Sequence, residues 1–249
     1  MESEGEKASY GTPRCLLLGS GEFLPWVGEG ELEALRGAGG DGSVVVLATA
    51  SAPEGETVFA RWNRMGRDHY AALGLHARAL PVRTREDAAV EEYAEAARRA
   101  SLIFFSGGNP QYLARSVERT PLWTAIVEAL HAGSVYAGCS AGAMVAGSSE
   151  RSGPARGRFQ FSGGLGLCPG TVFGVHWDST FMRLLAPAII RSVPAGHRLI
   201  GISERTAILS TNQGWKVFGA GTVEVRDGAG RRRYRAGELI PGQSSGWSP

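Results

Sequence analysis

Cysteine is scarce and scattered: Cys15, Cys139 and Cys168 are the only three, and no two have the C-x-x-C spacing. That argues against a disulfide framework and against a cysteine-built zinc site. No apolar run approaches the ~18 residues that a membrane span needs. Charge of one sign is missing as well. The formal net charge is +2, with acidic and basic residues interspersed, so there is no field to gather nucleic acid or an anionic membrane. The one basic cluster, Arg231-Arg232-Arg233 with Arg235, follows the turn-like Asp227-Gly228-Ala229-Gly230 and reads as a solvated hairpin arm. The five histidines lack the paired spacing of a metal site, so neither metal nor cofactor is expected. The opening Met1-Glu2-Ser3-Glu4-Gly5-Glu6-Lys7 is acidic and polar where a secretory signal is basic and then apolar. With thiols unpaired, the cytoplasm is the expected compartment.

What is present suits a soluble enzyme-sized domain: 249 residues, 43% hydrophobic and 20% charged. Strand candidates at Arg14–Leu18, Ser43–Thr49, Leu75–Leu80, Ser101–Phe105 and Ser134–Ala137 alternate with helical stretches. Three of them are nearly all apolar, as strands covered on both faces of a parallel sheet are. Helix ends are legible. Thr84 and Asp87 have capping-box spacing, Thr120-Pro121 is an N-cap followed by proline, and Gly133 is a stop after His131-Ala132. The fold class expected is α/β, a doubly wound, mostly parallel sheet flanked by helices. Beyond residue 170, Thr171–Val175 reads as a strand and Thr180–Arg191 as a helix bent or interrupted at Pro187. Leu199–Ser203, Ala207–Ser210, Trp215–Phe218 and Thr222–Arg226 are expected to extend the sheet with antiparallel strands near the C-terminus. The expected organisation is a tail over 1–12, one domain over 13–236 and a Gly/Ser/Pro-rich tail over 237–249.

Chemistry concentrates where the fifth strand candidate ends, in Gly138-Cys139-Ser140-Ala141-Gly142-Ala143-Met144. A serine on a strained turn between strand and helix, with small residues two positions either side, has the form of a nucleophile elbow. A glycine-rich turn with a capping serine has the same letters; the embedding in small residues after a strand favours catalysis. Glycines flank Ser140 at both two-residue offsets, whereas Ala137 and Ala141 flank Cys139, so Cys139 reads as a buried packing residue. A cysteine-dependent glutaminase using Cys139 is the rival enzyme, and a non-catalytic binding protein on the same fold is the rival class. Ser106-Gly107-Gly108-Asn109-Pro110 closes another strand, and the amides of Gly108 and Ala141 are the candidate oxyanion donors. His176 directly follows the apolar Thr171–Val175 run and is the favoured base. His69, His76 and His197 lie in charged helix or loop contexts, and His131 suits a helix end.

These landmarks together resemble the aspartyl dipeptidase and cyanophycinase family of serine peptidases, which has a glutamine-amidotransferase-like fold. The similar segments are Leu18-Gly19-Ser20-Gly21-Glu22-Phe23, Phe104-Phe105-Ser106-Gly107-Gly108-Asn109, the Gly138–Ala143 turn, Gly164-Leu165-Gly166-Leu167, and Gly201-Ile202-Ser203-Glu204-Arg205-Thr206-Ala207. The resemblance runs from about residue 14 to 226. It implies a triad in the order Ser140, His176, Glu204, with Glu150 and Asp178 as rival orienters of the histidine. The substrate would be a small peptide or isopeptide. Glu22, Asn109 and Asp178 are the expected substrate contacts, with Glu22 either at a substrate amine or solvated; the sequence leaves the assembly open, a homodimer being one option. Departures fall in the pocket. Pro110 stands where cyanophycinases carry glutamine, Gly174-Val175 where they carry Asp-Gln, and Thr180 and Met182 where they carry arginines, with Arg183 out of register. Cyanophycin itself is therefore not the expected substrate.

Overall fold

Alternation along each strand builds the first half of the chain. The computed structural model describes residues 13–149 and 163–242. In order come β1 (Arg14–Leu18), α1 (Gly28–Leu35), β2 (Val44–Leu47), α2 (Glu56–Ala72), β3 (Ala77–Ala79), α3 (Glu91–Arg99), β4 (Leu102–Phe105), α4 (Pro110–Val117), α5 (Pro121–His131), β5 (Val135–Cys139) and α6 (Ala141–Val145). Strands β3-β2-β4-β5-β1 pair in parallel. Successive side chains point to opposite faces of a strand. Cys15, Leu17, Val45, Leu47, Ile103 and Phe105 accordingly share one core with α3, α4 and α5 residues such as Ala97, Leu113 and Ile126. Leu16, Leu18, Val44, Val46, Leu102 and Phe104 share the other with Ala34 of α1 and Tyr70 of α2. Both faces being covered explains why these strands read as unbroken apolar runs.

The start of α5 follows the expected chemistry. Thr120 caps α5 by accepting the Trp123 amide at 3.2 Å, with Pro121 in the first turn. Asn109 caps α4 in the same way, accepting from Tyr112 N at 2.9 Å, and Pro110 occupies its first position. The Thr84–Asp87 pair closes reciprocally, with Thr84 N to Asp87 Oδ2 at 2.9 Å and Asp87 N to Thr84 Oγ1 at 3.3 Å, but it opens the short 3-10 turn Asp87–Ala89 and not α3, which starts at Glu91 without a side-chain cap.

After residue 163 come β6 (Thr171–Gly174), α7 (Thr180–Ser192), β7 (Arg198–Ile202), β8 (Thr206–Thr211), β9 (Gly214–Gly219), β10 (Thr222–Asp227), β11 (Gly230–Arg235) and β12 (Leu239–Pro241). Strands β8, β9 and β12 do extend the main sheet antiparallel beyond β1. The expectation that Leu199–Ser203 and Thr222–Arg226 do likewise is corrected: β6, β7, β10 and β11 form a separate four-stranded sheet in the order β11-β10-β7-β6. Its inner face, with Phe173, Ile200, Ile202, Val223 and Val225, joins the main core. Its outer face, with Val172 and Leu199, is covered by Met182, Ala186, Ile189 and Ile190 of α7. Helix α7 runs through Pro187 as one element. The stretch from 237, expected as a tail, contributes β12, because Ile240 opposite Trp215 is buried and closes the sheet edge.

Candidate functional site

The two sheets meet where β1 ends, and glycine makes the meeting close. A Cβ on Gly19 would lie 2.1 Å from the carbonyl oxygen of Ser203, so only glycine lets the end of β1 lie against the β7–β8 turn. Gly19 N donates to Thr206 O at 2.9 Å, and Arg205 N to Ser20 Oγ at 3.3 Å. This places Glu204 beside the carboxyl ends of β1 and β5.

Ser140 sits between β5 and α6 with φ 49° and ψ −108°. This left-handed φ costs a residue with a Cβ on the order of 1–3 kcal/mol and persists only where packing enforces it. The flanking glycines are part of the enforcement. A Cβ on Gly138 would come within 2.5 Å of the Gly142 carbonyl carbon, and one on Gly142 within 2.2 Å of the Phe105 carbonyl oxygen. Ser140 N donates to Leu18 O at 3.0 Å and Tyr136 donates its hydroxyl to Gly142 O at 2.7 Å, pinning both sides of the turn.

His176 follows β6, also at a positive φ of 50°. Its loop is fixed by Trp177, whose amide donates to Ile202 O at 3.1 Å. The indole lies so close over Gly174 and Gly201 that a Cβ on Gly201 would meet it at 2.4 Å. The imidazole then reaches both ways: Nε2 is 3.1 Å from Ser140 Oγ, and Nδ1 is 3.1 Å from Glu204 Oε1. Asp178 touches neither ring nitrogen; its Oδ1 accepts the backbone amide of Glu204 at 2.8 Å. Among the described residues, four of the five non-glycine positive-φ residues, Ser140, His176, Arg205 and Phe23, lie at or next to Ser140, His176, Glu204 and Glu22.

The model of peptidase family S51 matches residues 39–218. A solved peptidase from an acI-B1 actinobacterium is 34% identical, with a TM-score of 0.84 over 94% of this chain and 98% of the other. This chain belongs to peptidase family S51. At family level it is a serine peptidase, a hydrolase. The cyanophycinase of Geminocystis herdmanii is 28% identical over 77% of this chain and 72% of its own length. That of Trichormus variabilis is 28% identical over 59% of this chain, but the match spans only 52% of the relative.

In this S51 peptidase one expected contact takes another place. Glu22, expected at a substrate amine, accepts hydrogen bonds from the protein itself. It is buried, and each oxygen is already bonded: Oε1 accepts Gly107 N at 3.0 Å and Oε2 accepts the Cys139 thiol at 2.8 Å. The carboxylate thus ties the Gly-Gly turn to the residue before Ser140. Cys139 is wholly buried, and burial, followed by the Glu22 charge, pushes its thiol well above the usual 9.0. A thiol held neutral and out of solvent is a poor nucleophile.

Asn109 is exposed, with its oxygen committed to capping α4. The amides on either side of Gly108 are engaged, Gly107 with Glu22 and Asn109 with Ala50 O at 2.8 Å. The Gly108 amide donates to no atom of the described residues. Ala141, the first residue of α6, has no acceptor within its helix. Gly107 lies at the serine itself, since a Cβ there would be 3.4 Å from Ser140 Cβ. Glu150 lies outside the described residues. His69 is paired with buried Glu31 at 2.5 Å, on α2 rather than at this site. Among the described residues no three His, Cys, Asp or Glu side chains cluster as metal ligands, and no helix is long and apolar enough to cross a membrane.

Proposed function

We propose that this peptidase cleaves small peptides or isopeptides through an acyl-enzyme, as an exopeptidase or dipeptidase, with Ser140 as nucleophile, His176 as base and Glu204 as its orienter. The supporting observation is the continuous relay from Ser140 Oγ through both nitrogens of His176 to Glu204, each step 3.1 Å. In this reading His176 Nε2 takes the hydroxyl proton as Oγ attacks the carbonyl carbon. Glu204 holds the Nδ1 proton and stabilises the imidazolium. The oxyanion of the tetrahedral intermediate lies against the amides of Gly108 and Ala141. His176 then returns the proton to the leaving amine, and water repeats the sequence on the ester.

The cysteine-dependent alternative is disfavoured by the burial of Cys139 and its bond to Glu22. A binding protein without turnover remains the contrasting class, and labelling separates the two. A fluorophosphonate should add one covalent phosphonyl group to Ser140, read by mass spectrometry of the intact protein. Ser140→Ala should stay folded, escape labelling and lose ~10⁴-fold or more of peptide turnover. An unlabelled wild-type protein, inert towards a panel of dipeptides and isopeptides, would favour the binding class.

A further inference from the structure

The basic run at 231–233 is not a uniformly solvated arm. Strand periodicity sends Arg232 to Asp227, at 2.6 Å, while Arg231 and Arg233 turn to the face covered by α7. There Glu224 lies opposite Arg233, and Arg226 lies opposite Arg231. The buried Glu224 carboxylate accepts from Arg226 Nε at 2.7 Å, Arg231 Nη2 at 2.6 Å and Arg233 Nε at 3.2 Å. With Arg183 of α7 these groups line a recess of about 330 Å³. Trp177, Pro187 and Ile190 form its apolar wall.

Four guanidiniums face two carboxylates in this recess, Glu224 and Asp178, and Asp178 is already engaged by the Glu204 amide. Each guanidinium carries five N–H donors, so most remain unused after Glu224 is satisfied. The Arg183 guanidinium makes no hydrogen bond with the described residues. Like charges directly opposite on paired strands destabilise a sheet, and Arg226 and Arg231 are such a pair with one carboxylate between them. A second anion would remove that repulsion. The carboxyl of Glu224 reports how positive the recess is. Burial raises it, yet the three arginine hydrogen bonds outweigh burial and hold it at about 2. The volume is at the small end of the range of small-molecule sites.

We propose that the recess between α7 and the β10–β11 hairpin is an anion-binding site that takes the carboxylate or phosphoryl group of a small molecule whose apolar part rests on Trp177, Pro187 and Ile190. It is separate from Ser140, which is not among its walls, and it adjoins the other side of the Glu204 turn through Asp178 and Ser203.

Titration of the whole protein with inorganic phosphate and with benzoate, at constant ionic strength, tests this through the NMR signals of the arginine Nε–H groups. Saturable shifts are expected at Arg226 and Arg233 with at least one probe. Phosphate binding the tighter points to a phosphoryl ligand, and benzoate the tighter to a carboxylate with an apolar body. Ser140→Ala should bind equally well, so the result does not depend on the proposed catalytic reading. Arg231→Gln/Arg233→Gln should weaken binding about tenfold or more, with folding checked by circular dichroism. Arg183→Gln leaves the Glu224 network intact and should weaken binding several-fold even if the double variant misfolds. Shifts that rise linearly without saturating for both probes, or saturable binding unchanged in Arg183→Gln and in a folded double variant, would overturn the proposal.

Discussion

Asp178 holds Glu204 by its backbone, accepting the Glu204 amide at 2.8 Å, and so leaves the Glu204 carboxylate to face His176 Nδ1 at 3.1 Å. Two acids that compete for one role in the sequence thus occupy successive positions behind the imidazole. Glu204→Gln should lower kcat by ~10³–10⁴-fold with KM little changed, because the amide keeps the shape and loses the charge that stabilises imidazolium. Asp178→Asn keeps an oxygen able to accept the same amide and should cost about tenfold or less. Steady-state kinetics on both variants decide the order. A crippled Asp178→Asn beside a near-normal Glu204→Gln would reverse it.

Glu22 separates a bracing role from a binding one. Glu22→Ala leaves the Gly107 amide and the Cys139 thiol without their acceptor, so stability should fall by about 1–3 kcal/mol. Turnover should fall mainly in kcat, because the turn beside Ser140 loosens. A rise in KM for substrates with a free amine, with kcat and the thermal midpoint unchanged, would return Glu22 to the substrate.

Cys139 should resist alkylation. Its thiol is fully buried, and burial and Glu22 keep it protonated at neutral pH. Iodoacetamide applied to the native protein at about pH 8 should leave peptide turnover intact, and peptide mapping should find Cys139 unmodified until denaturant is added. Inactivation in step with Cys139 labelling would contradict this.

The acid limb of stability should carry the signature of Glu224. Its folded carboxyl is held at about 2, below the usual 4.5, so the folded state gains from its ionisation above 4.5. That gain is lost as pH falls from 4.5 through about 2. Glu224→Gln cannot titrate. It should be less stable near neutrality and show a flatter urea midpoint across that window. Parallel curves for the two proteins would mean the arginine contacts do not hold in solution.

The parallel half of the fold was legible because burial on both faces writes itself into composition. Val44–Leu47 and Leu102–Phe105 contain no polar residue to misplace. The cap at Thr120 was legible because a short polar side chain before proline has few other uses, whereas Asn109, expected at the substrate, caps α4. The second sheet was not. Period-two alternation identifies β7 and β10 as strands but does not say which sheet they join; that choice depends on Gly19 and Gly201 permitting close approach. Ser140 and His176 were findable from turns at strand ends. The bracing bonds of Glu22 were not legible, because its partners lie 85 and 117 residues away. Trp177 left no signal of its role, which lies in two glycines under its ring, Gly174 on the preceding strand and the distant Gly201.

The meeting of the two sheets also sets when the chain becomes able to react. Ser140 belongs to the end of the main parallel sheet, His176 follows it by 36 residues on the end of the second sheet, and Glu204 comes 28 residues later still, in the turn joining the two. Synthesis proceeds from the N-terminus at about 5–20 residues per second. A nascent chain can therefore complete β1 to β5 and display Ser140 on a formed turn while both its partners are still inside the ribosome. On the proposed assignment the serine is an ordinary alcohol through that interval, and neither the emerging polypeptide nor its neighbours are exposed to an activated nucleophile until the last third of the molecule has docked.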